Sequence, residues 1–264
     1  MKRFITPQWR KIFTHQGLDF DALWRMDLEP LDEPNVGRGR GGWSSVSCLS
    51  LQLPDGHEKR LILKRQKNHF SRTLCHPFRG IPTFEKEISN ILRYKRLGIP
   101  ALKPVFYEGR YDSDGIQAIL ITEYLEGYMP LDELVSSYQE QGWPERAGRN
   151  RLITALASPV RKLHEKGFQH NCLYPRHLFI RDTDREIQVR VIDLEKNKWR
   201  PLGNKRRVRD LESLHRRTGG FTRSDRLRFL NAYCEIERLD KKAKRLCRRI
   251  IRQNRKKIKY DPNC

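Results

Sequence analysis

The segment that decides the fold reads LHEKGFQHNCLYPRHLFI from Leu163 to Ile180 and, after a short charged loop, VRVIDLE from Val189 to Glu195. Gly167 suits the turn after a helix terminus, so a helix is predicted to end near Leu163. Two short apolar runs then predict a β-hairpin with a polar turn. Asp193 directly follows the second strand, beside a loop that carries two histidines. This pattern indicates a site for a divalent cation and a phosphate group.

The composition limits the class of protein and its partners. The 264 residues include 54 Lys and Arg against 32 Asp and Glu, which makes the net charge +22. Hydrophobic residues make up 37% of the chain and occur in periodic blocks, which is typical of a folded chain and not of a disordered one. The excess positive charge indicates a nucleic acid, an anionic membrane surface, or a phosphorylated or acidic substrate.

The sequence also bears on the location of the protein. No apolar run approaches the length of about 18 residues that a membrane span needs. The start, MKRFITPQWRKIF, lacks the apolar core of a signal peptide. The six cysteines show no CxxC spacing, which favours a reducing compartment. We therefore expect a cytoplasmic protein, with attachment to a membrane surface left open.

A cluster of glycines precedes the first clear strands of the chain. A backbone so rich in glycine can approach a ligand closely. The runs 46–53 and 60–63, separated by Pro54-Asp55-Gly56, predict a β-hairpin after the cluster. A dinucleotide-binding GxGxxG motif requires a helix at this place, so that interpretation is disfavoured. The glycines are Gly37, Gly39, Gly41 and Gly42.

A lysine on a predicted strand and a glutamate on the helix that follows come after the glycines. Lys64 is predicted at the end of the second strand, and residues 84–97 have the periodicity of a helix. Both Glu85 and Glu87 lie on this helix, but only Glu87 keeps helix register with Ile91 at the apolar edge. Taken alone, Lys64 is also compatible with an ordinary exposed lysine, because most lysines are exposed.

The rest of the first half contains a loop, two strands and a linker. Prolines and a glycine between residues 77 and 82 predict a loop before the helix. Strands are predicted over 102–108 and 116–124. The sequence EYLEG, residues 123–127, breaks the alternation and is interpreted as a linker between two lobes.

The second half is predicted to be mainly helical. Pro159 lies inside one of the predicted helices and is expected to kink or break it. Near the start of the chain, residues 18–28 have mixed periodicity and fit either a helix or an irregular strand. The predicted helices are Leu131–Gln141, Arg149–Lys166, Arg207–Arg217, Thr222–Leu239 and Lys241–Ile258.

The order of these features resembles a protein-kinase-like fold. Within that fold, the chain is similar to the bacterial lipopolysaccharide-core kinases, the heptose and Kdo kinase group, and especially to their InaA-type branch. The resemblance covers residues 35–220 approximately, and implies an α+β fold with an antiparallel-sheet small lobe (1–124) and a mainly helical large lobe (125–264). It is carried by Gly41-Gly42-Trp43-Ser44, Leu63-Lys64-Arg65, Glu87, His170 to His177, Ile192-Asp193-Leu194 and Arg209-Asp210-Leu211.

The resemblance implies an ATP- and Mg²⁺-dependent kinase for an inner-core sugar of lipopolysaccharide. In that interpretation Lys64 holds the α- and β-phosphates, Glu87 orients Lys64, and the backbone near Glu123 meets the adenine. The predicted nucleotide-binding residues are Gly37, Gly39, Gly41, Gly42, Lys64, Glu87 and Glu123.

The family pattern also implies a metal site. Asp193 occupies the position of the metal-binding and catalytic aspartate, and His177 stands where family members carry histidine at the second metal position. Two simpler interpretations stay open. Asp193 is compatible with a turn-capping residue, and His177 is compatible with a buried histidine that only forms hydrogen bonds.

The catalytic loop departs from the family pattern. Active members read His-Arg-Asp or close to it, whereas this chain reads His170-Asn171-Cys172. The resemblance implies catalytic roles for His170 and Cys172, but a neutral thiol is a poor replacement for a carboxylate that accepts a hydroxyl proton. A changed role for His170, or a contribution from Asp182 or Asp184, stays open. The alternative function is a pseudokinase that binds nucleotide or glycolipid without turnover.

The C-terminal segment is strongly basic. Residues 241–259 contain eleven Lys or Arg and no acidic residue. They fit a solvated helix packed on the second lobe, or a helix that contacts an anionic membrane leaflet, where each basic residue contributes roughly 1 kcal/mol. No nucleic-acid-binding module is recognisable, so nucleic acid is not expected as a partner. The expected partners are a lipopolysaccharide core precursor glycolipid and an anionic membrane surface, on the cytoplasmic side of the inner membrane.

Overall fold

The computed structural model describes residues 3–36, 42–73, 76–113, 115–183, 185–201 and 204–260. Contacts within the chain divide it into two compact units. Unit 1 comprises Met1–Arg93 and Leu102–Glu126, and unit 2 comprises Tyr94–Ala101 and Gly127–Cys264. The division after Glu126 lies two residues from the boundary predicted after residue 124. The short segment 94–101, which the sequence assigns to the first lobe, belongs to unit 2.

Unit 1 is built on a six-stranded antiparallel sheet with the order β1-β7-β8-β4-β3-β2. A separate hairpin, β5 and β6, precedes the helix α3. The strands are β1 (Arg3–Ile5), β2 (Asn35–Val36), β3 (Trp43–Gln52), β4 (Glu58–Lys67), β5 (Phe70–Thr73), β6 (His76–Pro82), β7 (Pro104–Asp112) and β8 (Gly115–Glu123). The helices are α1 (Pro7–His15), α2 (Phe20–Arg25) and α3 (Thr83–Arg96), the last of which ends in unit 2.

Helices cover both faces of this sheet, which is why its central strand β8 is an almost continuous apolar run. Ile119 and Ile121 face the aromatic side chains of α1 and α2. Ala118 and Leu120, one residue out of phase, pack with Phe84 of α3 on the other face. Side chains alternate between the two faces along a strand, and directly paired residues of neighbouring strands lie on the same face. Each residue of a neighbouring strand therefore faces one of the two helical layers.

Several boundaries in unit 1 differ from the sequence predictions. The segment that contains Gly80 is the hairpin β5–β6 and not a loop. Gly80 has φ +71°, and a Cβ there would approach the Phe70 ring to 2.7 Å. Lys64 lies inside β4, three residues before its end. The basic lead-in contains α1, which the sequence did not indicate, and the ambiguous segment 18–28 contains α2.

Unit 2 is mainly helical, as predicted. Its helices are α4 (Leu131–Gln141), α5 (Arg146–Glu165), α6 (Asn204–Arg217), α7 (Arg223–Cys234) and α8 (Lys241–Tyr260). Its strands are β9 (Met129–Pro130), β10 (Phe168–Gln169), β11 (Leu178–Asp182), β12 (Ile187–Val191) and β13 (Lys198–Trp199). They form the sheets β12-β11-β9 and β10-β13.

Two helix predictions in unit 2 require correction. Of the two effects expected at Pro159, the break does not occur, because α5 continues through Pro159 as one helix, and the kink stays a prediction. Proline removes a single backbone donor, and the buried apolar face around Pro159 holds the helix together. The helix predicted to reach Leu239 ends at Cys234, because Glu235 adopts the left-handed conformation of a C-terminal cap.

Helix α8 packs on α6 and α7 and keeps its basic side in solvent. Ala243 is buried, and Lys257 Nζ lies 2.9 Å from Glu212 Oε2. A cavity of about 620 Å³, mostly apolar, lies among the helices of unit 2 and is bordered on α8 by Cys247, Ile250 and Ile251. Within the described residues, no helix combines the length and apolar character needed to cross a membrane.

A buried carboxylate joins three helices of unit 2 to the loop after β10. Asp210 of α6 accepts hydrogen bonds from the backbone N–H groups of His170 (2.7 Å) and Asn171 (2.9 Å). Its Oδ2 also lies 3.2 Å from Nε2 of His164, at the end of α5. The other ring nitrogen of His164 lies 2.9 Å from the Tyr233 hydroxyl of α7. The loop conformation therefore depends on one side chain that is 1% exposed.

The variant Asp210→Ala is predicted to lose about 3 kcal/mol or more of unfolding free energy. The substitution leaves two backbone donors and one ring donor buried without an acceptor, and each such group costs about 1–3 kcal/mol. Urea unfolding of the purified protein measures the change. Asp32→Ala, at an exposed position, is the control and is expected to stay within about 0.5 kcal/mol of the wild type. Equal stability of both variants would contradict the assignment.

Candidate active site

The first group of candidate residues lies in unit 1 and centres on Lys64. Its Nζ lies 2.7 Å from Oε1 of Glu87 on α3, so the predicted ion pair is present. Strand register explains the contact: Lys64 is paired with Leu120 across the ladder, and Leu120 faces the α3 layer. The Lys64 side chain is 18% exposed and that of Glu87 is 2% exposed. The carboxylate is therefore buried, and the ammonium group retains access to solvent.

The competing carboxylate Glu85 has a different environment. Its Oε2 accepts a weak hydrogen bond of 3.4 Å from the Tyr107 hydroxyl. Burial and the neighbouring Glu85 carboxylate both raise the pKa of Tyr107, which keeps that hydroxyl protonated as a donor. The choice of Glu87 over Glu85 from helix register agrees with the ion pair in the structure.

The other predicted nucleotide-binding residues of unit 1 give less information. Gly37, Gly39 and Gly41 lie outside the described residues. A Cβ on Gly42 would approach Cδ2 of His69 to 2.8 Å, so close packing alone accounts for glycine there. The backbone N–H of Glu123 already donates to the Lys103 carbonyl at 2.9 Å. Only the carbonyl of Glu123 is left for the predicted contact.

The second group lies in unit 2, and its most buried member is His170. The ring is fully buried, and Nε2 donates a hydrogen bond of 2.9 Å to the carbonyl of Ile192. Burial lowers the pKa of His170, so the ring is neutral at pH 7. A ring enclosed in this way does not contact a substrate. The catalytic role predicted for His170 is therefore replaced by a positioning role, in which it holds the peptide that precedes Asp193.

Cys172 occupies the position of the missing base. The residue is 7% exposed, and its carbonyl accepts hydrogen bonds from Nδ1 of His177 (2.8 Å) and from the N–H of Tyr174 (2.9 Å). Asp182 does not replace it. Asp182 ends β11, about 13 Å along the strand from its start, where it lies 3.3 Å from Arg151. Asp184 lies outside the described residues.

Asp193 adopts an unusual backbone conformation. Its φ of 58° lies in the left-handed region, which costs a non-glycine residue about 1 kcal/mol or more. Neighbouring hydrogen bonds maintain it: the Ile192 N–H donates to the His177 carbonyl at 3.0 Å, and the Ile192 carbonyl accepts from His170. Local strain of this kind clusters at functional sites.

The side chains of His177 and Asp193, the two predicted metal-binding residues, lie in contact. Nδ1 of His177 donates its proton to the Cys172 carbonyl, so Nε2 of the neutral ring carries a lone pair. That atom lies 3.5 Å from Oδ2 of Asp193. Burial lowers the pKa of His177, although the Asp193 charge opposes the shift. Two electron-pair donors that face each other fit a shared divalent cation whose other ligands are phosphate oxygens and water.

The sequence interpretation did not assign a role to several residues that shape this site. The family resemblance includes Asp210 but assigns it no role, and no sequence pattern indicates a role for His164 or Tyr233. A buried Asp–His–Tyr network has no sequence spacing of its own, because its members come from three helices. The guanidinium groups of Arg176 and Arg217 near the Tyr174 ring were also missed.

Comparison with known proteins identifies the family. The sequence profile of the lipopolysaccharide kinase (Kdo/WaaP) family matches residues 21–233. Protein InaA of Escherichia coli strain K12 is 27% identical over 198 residues, which cover 75% of this chain and 87% of InaA. The lipopolysaccharide core heptose(I) kinase WaaP of Pseudomonas aeruginosa is 31% identical over 157 residues, 56% of this chain and 58% of WaaP.

A structural comparison supports the same conclusion about the fold. A solved structure of WaaP in complex with acyl carrier protein matches with a TM-score of 0.69 and 22% identity, over 97% of this chain and 99% of that chain. The predicted α+β, protein-kinase-like fold is confirmed. Because the family profile matches most of the sequence, this chain belongs to the lipopolysaccharide kinase (Kdo/WaaP) family.

Proposed function

We propose that this protein is an ATP-dependent phosphotransferase that acts on an inner-core sugar of lipopolysaccharide at the cytoplasmic face of the inner membrane. The observation that carries the proposal is the Lys64–Glu87 ion pair, because a buried carboxylate that holds a partly exposed ammonium group suits phosphate binding. Membership of the lipopolysaccharide kinase family supports the substrate class.

The residues of unit 1 bind the nucleotide in this proposal. Lys64 donates to phosphate oxygens while Glu87 keeps its ammonium group in place. The backbone carbonyl of Glu123 is available to the adenine. The buried Glu87 carboxylate makes this arrangement rigid, so little conformational entropy is lost when phosphate binds.

The residues of unit 2 bind the metal and place the acceptor. Asp193 and Nε2 of His177 are ligands of a divalent cation, magnesium in this family, which neutralises phosphate charge when bound. His170 orients Asp193 through the Ile192 carbonyl. Cys172 lies beside the acceptor hydroxyl but does not act as a carboxylate base. Phosphoryl transfer rests mainly on positioning and electrostatics, so a slow kinase is consistent with this site.

The alternative is a pseudokinase that binds nucleotide or glycolipid without turnover. The observation that favours it is Cys172, whose mostly buried side chain replaces the base of active family members. Both functions use the same Lys64–Glu87 pair, and they differ only in whether the acceptor hydroxyl loses its proton at a useful rate.

Helix α8 forms the proposed binding surface for an anionic membrane and for a carrier protein. Its exposed side carries Arg245, Arg248, Arg249 and Arg252, and no acidic residue occurs between residues 241 and 260. An anionic membrane surface complements the positive charge of this side of α8. The adjoining apolar cavity of about 620 Å³ fits an acyl chain, and the WaaP structure in complex with acyl carrier protein suggests a protein that supplies one.

Replacing Lys64 by methionine is predicted to weaken Mg²⁺-ATP binding about tenfold to hundredfold. A charge-assisted contact to phosphate contributes about 1.5–3 kcal/mol, and methionine has no charge. Titration calorimetry with a non-hydrolysable ATP analogue measures the dissociation constant. Lys59→Met, five residues earlier on β4 and hence on its other face, is the matched control. Unchanged affinity in Lys64→Met would show that the nucleotide binds elsewhere.

Replacing Cys172 by aspartate is predicted to accelerate phosphate transfer about 10²-fold, the lower range of general base catalysis. The assay follows ATP consumption with purified core glycolipid. Cys172→Ser removes the thiol without adding a base and is expected to match the slow wild type, whereas Asp193→Asn abolishes transfer. A silent wild type with an active Cys172→Asp variant identifies a pseudokinase. Silence of every variant, together with normal nucleotide binding, excludes the proposed acceptor class.

Two variants of α8 are predicted to distinguish binding to an anionic membrane from binding to an acyl carrier protein. Arg248→Gln combined with Arg252→Gln weakens binding to phosphatidylglycerol vesicles about thirtyfold, because each basic residue contributes about 1 kcal/mol. Ile251→Asp, which places a charge at the cavity, retains vesicle binding and loses the preference for acyl-loaded over unloaded carrier protein. Vesicle cosedimentation and surface plasmon resonance are the measurements.

Two outcomes would contradict the assignments on α8. Equal binding of neutral and anionic vesicles excludes the electrostatic contact. Tight binding of duplex DNA that the double arginine variant loses, without vesicle binding, assigns the basic side of α8 to nucleic acid instead.

A further inference from the structure

An exposed tryptophan lies on a short strand that is hydrogen-bonded to the catalytic loop. In the antiparallel pair of β10 and β13, Trp199 lies opposite Phe168, two residues before His170. Further along, the side-chain amide of Asn171 donates a hydrogen bond of 2.7 Å to the Lys196 carbonyl. The chain that carries Trp199 is therefore tied both to the strand before the loop and to the loop itself.

The Trp199 ring packs with one edge against Gly167. A Cβ on Gly167, whose φ is +79°, would lie 3.2 Å from Nε1 of Trp199 and 3.0 Å from Cα of Pro201. The N–H of Arg200 also donates a hydrogen bond of 2.6 Å to the Gly167 carbonyl. One edge of the ring is thus held in place, while Trp199 stays 58% exposed. A ring that is positioned in advance loses little conformational entropy when a ligand binds to it.

The exposure of this ring is unusual in the chain. Trp9 is buried, and Trp24, Trp43 and Trp143 are half-buried. In the part of the chain that the structure describes, no other large apolar side chain between residues 130 and 226 is exposed. A stable protein interface buries roughly 800 Å² on each partner, and attachment to a membrane surface grows with the apolar area that enters it. A lone ring is too small for either partner, but its size matches a single sugar ring.

We propose that Trp199 stacks on a sugar ring of the acceptor saccharide that is not itself phosphorylated, and so contributes to the selection of the acceptor. The face of an indole ring carries negative charge density, which attracts the weakly positive C–H groups on one face of a sugar. Phe168, opposite Trp199, lies about 7 Å of extended strand before the start of the loop, so the stacked ring is a neighbour of the reacting sugar. The exposed Lys198 and Arg200 are donors for sugar hydroxyls. This inference rests on the proposed kinase function and adds a saccharide contact to that site.

Tryptophan fluorescence tests the contact directly. The probe is deacylated core oligosaccharide, which carries no lipid, titrated into the full-length protein. A stacked sugar shields the exposed ring, so the emission of the wild type is expected to shift to shorter wavelength and its quenching by iodide to fall. Trp199→Phe is expected to lose this signal and to keep most of the affinity measured by calorimetry. Trp199→Ala is expected to weaken binding about tenfold, the upper range for an aromatic contact.

The control is Leu97→Ala, at another exposed apolar position of unit 2, which is expected to bind the oligosaccharide as the wild type does. Equal oligosaccharide affinity in the wild type and in Trp199→Ala overturns the proposal. If the alanine variant does not fold, a sugar-induced emission change that persists in Trp199→Phe overturns it equally. Loss of binding to phosphatidylglycerol vesicles in Trp199→Ala, with oligosaccharide binding intact, assigns the ring to a membrane surface instead.

Transfer kinetics distinguish this inference from the proposed function. With core glycolipid as acceptor, Trp199→Ala is expected to raise the acceptor KM about tenfold and to leave kcat and nucleotide affinity unchanged, because the contact is equal in the ground state and the transition state. If oligosaccharide binding depends on Trp199 but the protein transfers no phosphate, the kinase function fails and the saccharide contact stands. If transfer proceeds with an acceptor KM that Trp199→Ala does not change, the saccharide contact fails and the kinase function stands.

Discussion

The catalytic loop depends on the buried carboxylate of Asp210, which accepts hydrogen bonds from two consecutive backbone N–H groups. Asn171 has φ 69°, a conformation that costs energy unless its surroundings enforce it. Asp210 supplies that enforcement from α6, and the Asn171 side chain adds a hydrogen bond of 2.7 Å to the Lys196 carbonyl. With the loop held on this side, the His170 ring is enclosed, and Leu173 and His177 further along the loop are buried as well.

The two histidines of the loop then have different tasks, although the sequence presents them as similar. His170 is enclosed and uses Nε2 as a donor to the Ile192 carbonyl. His177 uses Nδ1 as a donor to the Cys172 carbonyl, which leaves its Nε2 lone pair beside Asp193. Burial lowers the pKa of both rings, so each is neutral and each has one fixed donor nitrogen. The first ring supports the backbone of Asp193, and the second places its Nε2 atom 3.5 Å from Oδ2 of that residue.

The two groups of candidate residues carry different charges. In unit 1, the Lys64–Glu87 pair places a partly exposed ammonium group against a buried carboxylate. In unit 2, the Asp193 carboxylate lies 3.5 Å from Nε2 of His177. Arg176 and, from α6, Arg217 place their guanidinium groups near the Tyr174 ring.

The α+β class, the mainly helical second half, the choice of Glu87 over Glu85 and the family all followed from the sequence alone. Those features depend on local periodicity and on residues at short, regular spacing, such as the strand and helix that carry Lys64 and Glu87. Other features could not be predicted from the sequence. The hairpin at Gly80 and the end of α7 at Cys234 were mispredicted, because pairing and packing override local preference. Only the tertiary structure decided that His170 is enclosed, that Asp210 holds the loop and that two arginines meet at Tyr174. Burial and contacts between residues far apart in the chain have no local signature.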